Sequence, residues 1–295
     1  MTSLPDTDFD SLLPPLALSR RGFIAGSLAS GFALAAGAVV AQTAIKTSSE
    51  GLDAGEVRIP TADGDIPGYR AAPAGKTGLP VVLVVQEIFG VHEYIQDVCR
   101  RLAKEGYMAV APELYVRQGD PRKYTDVGKL LTEVVSKVPD AQVLSDLDAT
   151  AVWAAGHGGD AELLGITGFC WGGRYAWLYA AHNPKVDAAV AWYGRMVGTN
   201  DTLHPVQPVE TAAQIHGPVL GLYGGKDAGI TQDSIDAMKA ALAKGSDAAK
   251  ASEFVVYPEA GHAFHADYRP SYNEAAAKDG WKRAVAWFDL HLKKS

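Results

Sequence analysis

Residues 163–173 read Leu-Leu-Gly-Ile-Thr-Gly-Phe-Cys-Trp-Gly-Gly, an apolar strand-like run to Phe169 that passes without a loop into a helical stretch over 173–183. Cys170 occupies the turn, with Gly168 two positions before it and Gly172 two positions after. A chain reversing directly from strand to helix forces its apex residue into a strained conformation, and side chains two positions away would strike the neighbouring strand and helix. Glycines there remove the collision. The apex side chain projects beyond the carboxyl end of the strand, at a helix N-terminus whose partial positive charge favours a thiolate over a thiol. This is the spacing of a nucleophile elbow, with sulfur in place of a hydroxyl. Cys99, in the helically spaced apolar set Ile95, Val98, Cys99 and Leu102, is expected to be an ordinary core residue.

Outward from the elbow, strand and helix alternate. Val81, Val82, Leu83, Val84 and Val85 form a continuous apolar run, as a parallel strand buried on both faces requires, and residues 92–106 follow with helical periodicity and a closing glycine. Further strands are expected over 108–111, 188–193, 219–223 and 253–257, with helices over 124–137, 142–155, 232–244 and 272–292. Two segments ahead of them, 56–60 and 66–71, read as antiparallel edge strands about the turn Ala62, Asp63, Gly64. Such an alternation builds a largely parallel sheet with helices on both faces. No internal repeat or second set of elements appears, so a single catalytic domain is expected over 55–295, behind a polar linker at 42–54.

An α/β-hydrolase fold delivers its acid and then its histidine from later strands to the edge where the nucleophile stands. The order here agrees. Gly224, Gly225, Lys226 and Asp227 follow the strand at 219–223, and Pro258 to His262 follow the strand at 253–257. Asp227 is therefore the expected acid and His262 the expected base. His265 is the neighbouring competitor, and His262 is preferred because Gly261 before it should let the loop fold back to the elbow. In that arrangement Cys170 attacks a carbonyl carbon, His262 manages the proton and Asp227 fixes the imidazole tautomer, giving an acyl-enzyme thioester. The oxyanion would meet the backbone N–H groups of Trp171 and Ile88.

The totals agree with a globular enzyme. The chain has 295 residues, 47% hydrophobic and 21% charged, and its formal charge of -7 offers no electrostatic footprint for nucleic acid. Its two cysteines are too few for a disulfide scaffold, scattered histidines suggest no metal, and no organic cofactor is implied. Ser19, Arg20, Arg21, Gly22, Phe23 and Ile24 form a twin-arginine signature, followed by a charge-free Ala/Gly/Leu run to Ala41. Residues 1–41 are thus expected to be a signal peptide read by the twin-arginine export machinery. The expected destination is the periplasm or the exterior, with no stable membrane anchor.

With Cys170, Asp227 and His262 in place, the chain resembles the dienelactone hydrolase (carboxymethylenebutenolidase) family from roughly residue 56 to 292. Gln86, Glu87, Ile88, Phe89 and Gly90 look like the family's stretch bearing a glutamate beside the nucleophile, so the resemblance implies that Glu87 holds the resting thiol. Residues 112–118, which include Glu113, Tyr115 and Arg117, resemble a segment whose arginine grips a substrate carboxylate, making Arg117 the candidate anion anchor and Tyr115 a pocket residue with Trp171 and Tyr193. The departure lies after the histidine. The family places a second substrate-binding arginine four residues beyond it, where this chain has Ala266, with His265 before and Arg269 after. The substrate implied is a small lactone or ester, with a broad exported esterase or thioesterase as the alternative. Two readings of other classes are a redox-active thiol protein, which has no resolving cysteine near Cys170, and a non-catalytic binding protein keeping the same shape.

Overall fold

The computed structural model describes residues 45–293, and the expected signal segment lies outside them. Those residues form an eight-stranded sheet in the order β1-β2-β4-β3-β5-β6-β7-β8. Strands β1 (Leu52–Thr61) and β2 (Gly64–Pro73) make the antiparallel edge hairpin. The remaining strands, β3 (Leu79–Val85), β4 (Met108–Pro112), β5 (Gly159–Phe169), β6 (Val186–Trp192), β7 (Val219–Gly224) and β8 (Glu253–Tyr257), run parallel.

Burial explains the pattern. Val81 to Val85 in β3 and every residue of β4 are buried, as central parallel strands covered on both faces must be. Helices α1 (Glu93–Lys104) and α8 (Glu274–Leu292) cover one face, while α3 (Asp140–Gly156) and α4 (Trp171–His182) cover the other. The carboxyl ends of β3, β5, β7 and β8 all open toward one edge, where an α/β sheet collects its functional loops.

Three expectations differ locally. The helix expected over 124–137 divides into α2 (Val127–Glu133), capped by Asp126 accepting from the Lys129 N–H, and a 3-10 turn at Val135–Lys137. Adjacent β-branched Val134 and Val135, with Pro139 close behind, disfavour continuation. The described part of the expected linker, residues 45–54, is tied to the fold, since β1 begins at Leu52 and the Thr47 N–H donates to Asp97. Short helices α5 (Pro208–Thr211) and α7 (Asp247–Lys250) flank α6 (Gln232–Leu242), and the first and last are too brief to leave a periodic signal.

Candidate active site

Cys170 stands where β5 becomes α4, with φ 55° and ψ -114°, a backbone region that side chains rarely occupy. Its N–H donates to the Trp192 carbonyl at 3.0 Å, tying the strained apex to β6. The flanking glycines are required by contact: a methyl group on Gly168 would lie 2.0 Å from the Gly172 carbonyl oxygen, and one on Gly172 would lie 2.4 Å from the Val85 oxygen. The side chain is buried, and no acceptor among the described residues takes the N–H of Trp171 or of Ile88.

The acid and the histidine arrive on adjoining loops. Asp227 follows β7, and its Oδ1 accepts from the Gly229 and Ile230 N–H groups at 3.0 and 3.2 Å. Its Oδ2 lies 2.6 Å from His262 Nδ1. The loops press together because Gly224 has no side chain: a methyl there would sit 2.6 Å from the carbonyl oxygens of Ala260 and Gly261. Gly261 itself occupies open space with ordinary φ, and the left-handed residue is Ala263, at φ 58°. The expected hinge is thus displaced by two residues.

His262 is partly buried, which works against its charge, yet the Cys170 sulfur and the Asp227 carboxylate outweigh this and push its pKa up to about 10. Its Nε2 makes no hydrogen bond to oxygen or nitrogen, leaving that edge for the sulfur and the reacting groups. Tyr193, itself at φ 39°, packs edge-on against the imidazole with centroids 5.2 Å apart. His265 points elsewhere. It is buried between Phe169, Trp192 and Trp281, with Nδ1 2.6 Å from the Tyr94 hydroxyl.

The other expected residues are distributed differently. Glu87 is fully buried, but its Oε2 accepts from the Tyr268 hydroxyl at 2.6 Å and its Oε1 lies 3.7 Å from Arg269 Nη1. Its carboxylate is therefore directed to Tyr268 and Arg269, where the resemblance implied the thiol. Tyr115 packs at a tilt against Trp171, with centroids 4.8 Å apart, and donates to the Glu87 carbonyl at 3.2 Å, propping the loop that carries Glu87 and Ile88. Arg117 is already engaged: its guanidinium meets Asp63 at 2.5 Å and Asp146 at 2.7 Å, joining the β1–β2 turn to α3.

Sequence reasoning left two contributors without a definite place. Arg269 lies partly buried over the Phe89 ring at 5.4 Å, and its Nη1 has no hydrogen-bond partner. Nearby, desolvation of partly buried His92, followed by the Arg269 charge, pushes its pKa down to about 4, so it is neutral. Glu113 fastens the loop after β3, accepting from Gln86 Nε2 at 3.0 Å and from the Val91 N–H at 2.9 Å. Burial raises its carboxyl above the usual range. Neither role has a sequence signature, because each depends on which loop lies alongside.

Comparisons with known proteins identify the family. Residues 66–292 match the model of the dienelactone hydrolase family. A protein of Methylorubrum extorquens named "Putative carboxymethylenebutenolidase" is 62% identical over 284 residues, covering 96% of this chain and 97% of that protein. One of the same name from Escherichia coli is 55% identical over 260 residues, covering 88% of this chain and 94% of that protein. A solved structure from Klebsiella pneumoniae, titled as a "Putative Dienelactone Hydrolase", superposes with a TM-score of 0.79 at 59% identity, over 81% of this chain and 99% of that one. The chain belongs to the dienelactone hydrolase family and carries its α/β-hydrolase fold.

Proposed function

We propose that the protein hydrolyses small carboxylic esters and lactones with Cys170 as nucleophile. The observation that carries this reading is the His262 imidazole held by Asp227 at 2.6 Å, with Cys170 at the strained turn between β5 and α4. The thiolate attacks the carbonyl carbon, and the π pair moves to oxygen, stabilised by the N–H groups of Ile88 and Trp171. Collapse expels the alkoxide or enolate, which takes a proton from the His262 imidazolium, leaving a thioester on Cys170. Neutral His262 then removes a proton from water, whose oxygen attacks the thioester. Collapse releases the carboxylic acid and the thiolate, and His262 is again the cation.

The preferred substrate carries a carboxylate. Arg269 supports this, being a partly buried guanidinium whose Nη1 makes no hydrogen bond and only a long ion pair with Glu87, and whose charge acts on Cys170. Purified protein should cleave p-nitrophenyl acetate and a simple enol lactone, and Cys170→Ala should lose both activities. Retention of activity by that variant would overturn the nucleophile assignment. The twin-arginine signature at Arg20 and Arg21 supports export of the folded enzyme, which Arg20→Lys with Arg21→Lys should abolish. Unchanged export of that double variant would count against it.

A further inference from the structure

The loop from His262 to α8 bears the base and both partners of Glu87, yet it pairs with no strand. It is a succession of turns, closed by Ala266 N–H to Ala263 O, Arg269 N–H to Ala266 O and Asn273 N–H to Phe264 O. Side chains must therefore hold it. His265 is taken by Tyr94 and Asp267 by Arg101, both on α1, while Tyr268 is taken by Glu87.

Arg101 is itself held from the other end of the chain. Its Nε donates to Asp97 at 2.6 Å and its Nη2 to Asp267 at 2.6 Å, so one guanidinium bridges two carboxylates that are nearly or wholly buried. The residues ahead of β1 seal Asp97. The Thr47 N–H donates to its Oδ1 at 2.5 Å and the Thr47 hydroxyl to its Oδ2 at 3.2 Å. Arg100 donates to the Thr47 carbonyl at 3.0 Å and Lys104 donates to the Glu50 carbonyl. Asp267 immediately precedes Tyr268, whose hydroxyl holds Glu87, and lies two residues before Arg269.

We propose that residues 45–50 form a strap that positions the histidine loop through Asp97, Arg101 and Asp267, making Thr47 and Asp267 positioning residues for the reaction. A buried carboxylate keeps its shape only while its donors stay in place. Loss of the strap admits water to Asp97, frees Arg101 and releases Asp267, and the loop bearing His262 and Arg269 then samples misaligned positions. The kinetic part of this proposal rests on the proposed hydrolysis, whereas the mechanical part does not.

The test uses the full-length chain. Thr47→Pro removes the N–H that meets Asp97, and Asp267→Asn removes the charge that meets Arg101. Leu242→Ala, in the core beneath α6, serves as a control of comparable instability. Hydrogen exchange over residues 262–269 should accelerate by about tenfold in both strap variants and stay unchanged in the control. Turnover should fall on the order of tenfold, with the alkaline limb of the pH–rate profile moving down. Unchanged exchange in that loop for both variants overturns the strap, as does equal acceleration in the Leu242→Ala control. Accelerated exchange in a protein that cleaves no ester or lactone supports the strap and removes the proposed reaction.

Discussion

Asp227 grips His262 with one carboxylate oxygen, Oδ2 at 2.6 Å from Nδ1, while its other oxygen is held by the N–H groups of Gly229 and Ile230. The acid is thus fixed by its own turn before it fixes the base. An imidazole so held presents one tautomer and a lasting cation to the sulfur. Asp227→Asn should lower kcat on the order of 10²–10⁴-fold. It should also move the alkaline limb of the pH–rate profile well below pH 10, as measured by steady-state hydrolysis across pH.

The same residue ties stability to pH. Burial opposes the His262 charge, but Cys170 and Asp227 raise its folded pKa to about 10 from an ordinary value of 6.5. The stabilisation linked to that proton is complete below about 6.5 and is lost as pH rises through about 10. Denaturant melts across this window should show stability falling with pH, with a flatter slope in Asp227→Asn.

The two cysteines should behave oppositely. Burial pushes the Cys99 thiol far above its usual range, whereas Cys170 stands at a helix N-terminus beside an imidazolium. Brief iodoacetamide treatment should give one adduct, on Cys170, by mass spectrometry, with activity lost in proportion. Cys99→Ala should retain activity.

Arg269 and Arg117 should separate by substrate. Arg269→Met should raise KM for a carboxylate-bearing ester about tenfold or more while changing a neutral ester little. Arg117→Met should leave that ratio unchanged and lower the melting temperature, because its partners are Asp63 and Asp146. Loss of carboxylate selectivity in Arg117→Met alone would reverse the assignment.

At the elbow, Gly168→Ala forces a methyl against the Gly172 carbonyl oxygen. Both partners are backbone, so neither can rotate away. Destabilisation of about 1–3 kcal/mol or more is expected in urea melts, with activity falling alongside.

The candidate triad is legible in the sequence because its signals are local and ordered. Gly168, Cys170 and Gly172 share one turn, and Asp227 and His262 each follow an apolar strand directly. The parallel sheet was readable for a similar reason, since strands buried on both faces become continuous apolar runs such as Val81 to Val85. What escaped depends on partners distant in the chain. Arg117 and Arg269 are indistinguishable as letters, and only the fold reveals that Asp63 and Asp146 occupy the former while the latter lies beside Glu87. In the loop around His262 the conformational freedom expected of Gly261 is not used, and the left-handed backbone falls instead on Ala263.

That alanine and Cys170 give the molecule a built-in tension. Each side of the proton-transfer pair carries a residue held in a conformation it would abandon if unfolded, at φ 58° and φ 55°. In the proposed reaction both partners of the proton transfer would therefore rest on strained peptide units. Engineering for durability will find its gains at peripheral positions such as exposed Val152 and Leu290, whereas relaxing the bend at Ala263 or Cys170 would harden the scaffold and blunt the reaction.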